Sequence, residues 1–268
     1  MLRSQIRTMP MDFHHKQMTN ISRLAALLLI SILSACTVDE DQADSVQSTS
    51  TDAFMPTRFA EINRERLLNI AEEPEQWLTE GRDFGKTHFS PLNNINLDNI
   101  DQLGLAWEYR TDTHRGMEAN PIVVDGVLFT SGPTGRVFAL NAVTGEELWA
   151  FNPESDGQVN RYTCCDEVNR GVAVWEGMVY VGSLDGRLFG LDAETGDINW
   201  EVDTLIYKDR AYTSSGAPEV AGDVVVIGNA GADYDARGYV SAYDLKTGEF
   251  AWRFFTVPRD PALGQEHP

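Results

Sequence analysis

Three segments of this chain copy one another: ALNAVTGEELW ending at Trp149, GLDAETGDINW ending at Trp200 and AYDLKTGEFAW ending at Trp252. They recur at intervals of about fifty residues, a period that points to a propeller or a solenoid. LGLAWEY around Trp107 reads as the end of a preceding, degenerate unit. Within each unit, apolar alternation and turn residues predict four short strands. The first unit is ANPIVV, VLFTS, RVFALN and ELWAF, with turns at Asp125-Gly126, Thr134-Gly135 and Thr144-Gly145. The second is GVAVW, MVYVG, RLFGLD and INWEV, with turns at Glu176-Gly177, Asp185-Gly186 and Thr195-Gly196. The third is APEVA, VVVIG, GYVSAYD and FAWRF, turning at Gly222-Asp223 and Thr247-Gly248 and carrying a long loop between its second and third strands. Four antiparallel strands in a repeat of this length make a propeller blade, so the expected class is an all-β propeller of four-stranded blades. A tryptophan at one fixed place per unit is read as a packing residue between blades.

Strand parity then sorts the connections. With strands labelled A to D, the A-to-B and C-to-D turns share one face, and the B-to-C and D-to-A connections share the other. The first face carries short Gly-containing reversals. The second carries every irregularity: Asn152 to Arg170, Asp203 to Gly216 and the loop NAGADYDARG from Asn229 to Gly238. Long loops grafted on one face of a regular scaffold are where a site is expected.

On that face lies RYTCCDEVNRG, Arg161 to Gly171. If Cys164 and Cys165 bond to each other they enclose almost no chain, so the bond would add little stability. The pair reads either as a flat, rigid surface for a planar group or as two buried thiols.

The 268 residues and 42% hydrophobic content allow a sizeable core, while the formal charge of −20 makes nucleic acid an improbable partner. Arg3, Arg7, Lys16 and Arg23 precede the apolar run Leu24 to Leu33, which has the length of a signal-peptide core rather than a membrane span. The run ends in Leu33-Ser34-Ala35-Cys36, which resembles the bacterial lipobox, where the cysteine carries lipid; an ordinary secretory signal is the alternative. The expected organisation is a lipoprotein signal at 1–35, an acidic Ser/Thr-rich tether at 36–60 and a partial propeller at 61–268. Export places Cys164 and Cys165 where disulfides persist.

From Trp77, through GRDFGKTHFSPLNNIN, GMEANPIVVDG and CCDEVNRG, to FFTVP, the chain resembles the periplasmic quinoprotein alcohol dehydrogenases. These are eight-bladed propellers that hold pyrroloquinoline quinone (PQQ) and calcium. The resemblance implies that Cys164 and Cys165 form an adjacent disulfide against one face of the quinone. It implies that Arg170 gives its guanidinium to a quinone carboxylate or the reactive carbonyl, and that Glu118 hydrogen-bonds the cofactor. Ser215 stands where the family usually has threonine and keeps the hydroxyl. Gly231 and Ala232 let the backbone approach the quinone edge, and Asp233 replaces the family's glutamate as a ligand of Ca2+ or a lanthanide. Asp235 is an alternative ligand. The resemblance implies oxidation of an alcohol to an aldehyde, with a cytochrome c or quinone as electron acceptor. It puts the aspartate base, a metal-binding asparagine and the tryptophan wall after Pro268, so no catalytic residue is assigned here and about three and a half blades are expected. The expected location is the periplasmic side of a bacterial membrane, lipid-anchored, or else the soluble periplasm. The competing reading is a propeller lipoprotein scaffold of outer-membrane assembly, which binds no cofactor.

Overall fold

The computed structural model describes residues 56, 58–163, 165–260 and 262. The signal region, Cys36, nearly all of the expected tether and Cys164 lie outside the described residues.

The predicted blades form as three four-stranded antiparallel sheets. The first contains β1 (Ile122–Val124), β2 (Val127–Ser131), β3 (Val137–Asn141) and β4 (Glu147–Phe151); the second contains β5 (Ala173–Trp175), β6 (Met178–Gly182), β7 (Arg187–Asp192) and β8 (Ile198–Asp203). The third contains β9 (Glu219–Ala221), β10 (Val224–Gly228), β11 (Tyr239–Asp244) and β12 (Phe250–Phe255). Each sheet runs in sequence order. The third and fourth strands of every sheet slip register at one equivalent place, between Ala139 and Leu140, Gly190 and Leu191, and Ala242 and Tyr243. That irregularity falls at the tryptophan-bearing strand, where a bulge bends the outer edge.

The tryptophans join the sheets as the repeat predicts. The Trp149 indole N–H donates to the carbonyl of Ala193 at 2.8 Å, and that of Trp200 to Leu245 at 3.0 Å. Each ring lies against the glycine of the next sheet's last turn: a Cβ at Gly196 would sit 2.7 Å from Trp149, and one at Gly248 would sit 2.7 Å from Trp200. Trp107 repeats the contact at Gly145 and reaches the carbonyl of Ala142 at 3.3 Å. It thus plays the part of a preceding unit's tryptophan, although no strand forms around it. Trp252 differs: it is 44% exposed, against 8% for Trp149 and Trp200, because no following sheet stands among the described residues.

Ahead of the sheets, α1 (Arg64–Leu68) is capped by Asn63, whose side chain accepts from the Arg66 amide. Ala60 and Ile62 are fully buried beside β1 and β5, and their carbonyls accept from the amides of Gly177 and Glu176. Among the described residues no helix is long and apolar enough to cross a membrane.

Candidate functional site

The connections that strand parity assigned to the irregular face come together there. The backbone knits them: Arg170 donates to the carbonyl of Ser215 at 3.0 Å, and Ser214 to that of Leu184 at 3.2 Å. Ala230 donates to Thr213 at 2.8 Å. These bonds close a cleft of about 200 Å³ lined by Cys165, Arg170, Ser215, Gly231 and Asp233, with Tyr162, Leu184 and Tyr234 among its other walls. Five of the residues expected at the site therefore share one concavity.

Within it, the Arg170 guanidinium donates to the Ser215 hydroxyl at 2.8 Å and lies 3.6 Å from the Glu118 carboxylate. Glu118 is thereby linked to the cleft without lining it. All three groups are partly open to solvent, so the ion pair contributes little stability and its groups are free to exchange partners. Ala232 is exposed and lies off the cleft wall. Cys165 is exposed, and its expected partner Cys164 lies outside the described residues. Gly231 has φ +109, and a Cβ there would meet the Ala211 carbonyl oxygen at 1.9 Å. No other residue fits that close approach of two backbones.

Asn169, which no sequence motif singles out, is buried beside Arg170 and anchors the chain there. Its buried amide accepts from the Ser131 hydroxyl at 2.6 Å and donates to the Gly182 carbonyl at 2.8 Å, bridging the first two sheets. Only the tertiary contact reveals this, since nothing in the sequence distinguishes a buried asparagine from a turn asparagine.

Asp185, next in the chain to the cleft residue Leu184, pairs with Arg187. Arg187 binds Asp185 through two nitrogens, at 3.1 and 2.9 Å, and donates to the Pro153 carbonyl at 2.6 Å. Burial pushes the Asp185 carboxyl up, but the hydrogen bonds from Arg187 and Ser183 outweigh it, leaving the carboxyl below its ordinary 3.8. A carboxyl lowered in the folded state contributes stability in full above its unfolded value and loses it as pH falls through the folded one. Asp185→Asn is therefore expected to lower the urea midpoint most near pH 7, with the difference from wild type shrinking as pH falls below the ordinary carboxyl value and the wild type protonates. A pH-independent difference would refute this account.

Among the described residues no three His, Cys, Asp or Glu side chains converge; Asp233 shares the cleft wall with one other acid, Asp166. A second cleft, of about 1240 Å³, opens along β1, β5, β9 and the segment containing Lys86. It is larger, but none of the residues expected at the site lines it.

Four-stranded sheets joined by tryptophans, with a cleft on their loop face lined by Arg170, Ser215, Asp166 and Asp233, define a module of propeller type. Residues 77–267 match the PQQ family described as the beta-propeller domain of glucose/ethanol/alcohol dehydrogenases. The chain belongs to that family. It is 51% identical over 207 residues to the quinohemoprotein alcohol dehydrogenase ADH-IIG of Pseudomonas putida, covering 77% of this chain and 29% of that one. The solved structure of that protein superposes with a TM-score of 0.76 over 78% of this chain and 30% of its own. A 1-butanol dehydrogenase (cytochrome c) of Thauera butanivorans is 51% identical over 63% of this chain and 24% of its own. A europium-containing methanol dehydrogenase is 34% identical, with a TM-score of 0.67 over 71% of this chain and 34% of that one. The chain thus spans about a third or less of the length of these relatives.

Proposed function

We propose that this chain acts as part of a PQQ-dependent alcohol dehydrogenase, forming one wall of the quinone site. The observation that carries the reading is the Arg170–Ser215 pair, a guanidinium and a hydroxyl side by side in a cleft that also contains Cys165 and Asp233. A cation and a neutral donor so placed suit a planar polycarboxylate, so the donor set fits the group. Bound PQQ would supply a two-electron acceptor for the hydride of an alcohol carbon, and a bound Ca2+ or lanthanide would supply a Lewis acid.

The chain's own residues would bind and orient. Arg170 would exchange Glu118 and Ser215 for a ligand carboxylate or carbonyl, holding it through a forked donor. Glu118 and Ser215 would complete the polar rim. Gly231 would set the depth of the cleft by keeping backbone rather than side chain at its wall, with Ala232 next to it in the same loop. Cys165, bonded to Cys164, would give a flat face that excludes water from one side. Asp233 would provide a hard-oxygen ligand, shorter than glutamate, with the remaining ligands coming from outside the described residues. The europium-containing neighbour supports a metal at such a site, and the cytochrome c-linked relative supports a cytochrome or quinone acceptor. Lipid attachment at Cys36 and a periplasmic location belong to the same reading, which rests for them on the export signal.

The test is PQQ- and alcohol-dependent dye reduction by the full-length protein, reconstituted with Ca2+ and separately with a lanthanide. Arg170→Ala is expected to lower kcat/KM by about a hundredfold or more, the range for removing a preorganised charged donor. Cys164→Ser with Cys165→Ser is expected to abolish turnover, and Asp233→Ala to remove the response to metal. No alcohol-dependent reduction under either metal would sink the proposal.

A further inference from the structure

We propose that Arg115 is a positioning residue for the quinone-facing groups, acting through the loop that carries Cys165 and Arg170; this rests on the reading of the cleft given above. Two segments meet beside the cleft, one containing Arg115 and Glu118 and the other Asp166, Glu167 and Arg170. Arg115 donates through Nη1 to Asp166, and its Nε lies 3.1 Å from the Glu167 carboxylate. Three residues further along both segments the polarity reverses, with Glu118 facing Arg170 at 3.6 Å. A base-to-acid rung followed by an acid-to-base rung fixes register, because sliding one segment past the other sets like charges together.

The two rungs are not equivalent. Arg170 lines the cleft and Glu118 reaches it through Arg170, so a ligand engaging Arg170 disturbs that pairing. Arg115 holds Asp166, which lines the cleft beside Cys165, and Glu167, which is anchored away from it. Glu167 also accepts from the Asn160 amide, and its carbonyl accepts from the Thr134 amide at 2.8 Å. Its carboxylate is largely buried, while Asp166 sits at φ +68, a left-handed backbone adjoining Cys165. Such a conformation persists only when its surroundings hold it, and the Arg115 fork supplies one of those restraints. Because Arg115 and Asp166 are half-exposed, the rung matters for placement rather than for global stability.

The experiment uses the full-length apoprotein and PQQ as the probe. Arg115→Ala is expected to weaken PQQ affinity about tenfold, as small displacements of binding groups do, with the thermal unfolding midpoint unchanged. Amide hydrogen exchange is expected to quicken over 163–170 while β2 and β6 stay as in wild type. Arg115→Lys, which keeps the charge but not the fork, is expected to recover part of the affinity. If wild type binds PQQ and Arg115→Ala binds it equally well, this inference fails and the proposed function stands. A loss of affinity matched by a lowered unfolding midpoint would reduce Arg115 to general stability and overturn the positioning role. Failure of wild type to bind PQQ would overturn both.

Discussion

Arg66→Met is expected to destabilise the fold by about 3–5 kcal/mol, the loss that follows when one partner of a buried ion cluster is removed. Arg66 is buried on α1 and holds two carboxylates at once. Its Nε and Nη2 donate to Glu73 at 2.9 and 2.5 Å, and its Nη1 and Nη2 donate to Asp125 at 3.1 and 3.0 Å. It also donates to the carbonyl of Glu61 at 3.1 Å. Asp125 is the left-handed residue of the β1–β2 turn and is itself nearly buried, so the cluster fastens the segment before the sheets to the first of them. The hydrogen bond to Glu73 is the largest influence on Arg66, holding the guanidinium above its ordinary range; the reciprocal bond lowers the Glu73 carboxyl against burial. Without the cation, Asp125 and Glu73 are left as unpaired, partly desolvated acids. Adding Glu73→Leu and Asp125→Asn to Arg66→Met is expected to recover most of the loss, since the cost lies in the orphaned charges. Asparagine is chosen because it tolerates the left-handed backbone. Chemical denaturation of the three proteins decides: a single variant within about 1 kcal/mol of wild type would refute a structural role for the cluster.

The second large effect concerns the tryptophans. Trp149→Ala is expected to cost about 3–5 kcal/mol through lost burial and the cavity left between sheets, with the hydrogen bond to Ala193 lost as well. Gly196→Ala should also be costly, for two separable reasons. Its φ of +77 strains any side chain, and its Cβ would overlap the Trp149 ring at 2.7 Å. In Trp149→Ala/Gly196→Ala the overlap disappears and the backbone strain remains. The double variant is therefore expected to be more stable than the sum of the two losses predicts, by about 1 kcal/mol or more. Strict additivity would show that the ring does not rest on this glycine.

Most of the sheet structure was legible because its signals are local. Alternation along VLFTS or MVYVG, closed by Asp-Gly or Thr-Gly turns, specifies a strand and its end without reference to the rest of the chain. The segment before β1 carries no such period, so α1 and the burial of Ala60 and Ile62 went unforeseen. Turns such as Thr195-Gly196 were read as simple reversals, whereas their glycines are also the seats of the preceding sheet's tryptophans. Sequence could have hinted at that second duty, since Trp and Thr-Gly recur together in every unit. The site was partly legible through resemblance to a family pattern. The cleft brings together Cys165, Arg170, Ser215, Gly231 and Asp233, attaches Glu118 through Arg170, and leaves Ala232 outside its lining.

The sequence by itself determined the blades, the packing role of their tryptophans and the face on which the long loops gather. Each follows from periodicity, turn chemistry and strand parity, which are properties of short stretches. Only the tertiary structure decided which charges meet: Arg66 with Asp125, Arg115 with Asp166 and Glu167, Glu118 with Arg170. These pairs join residues tens of positions apart. Their pairing depends on how the sheets are set against one another, and no local pattern encodes that distance.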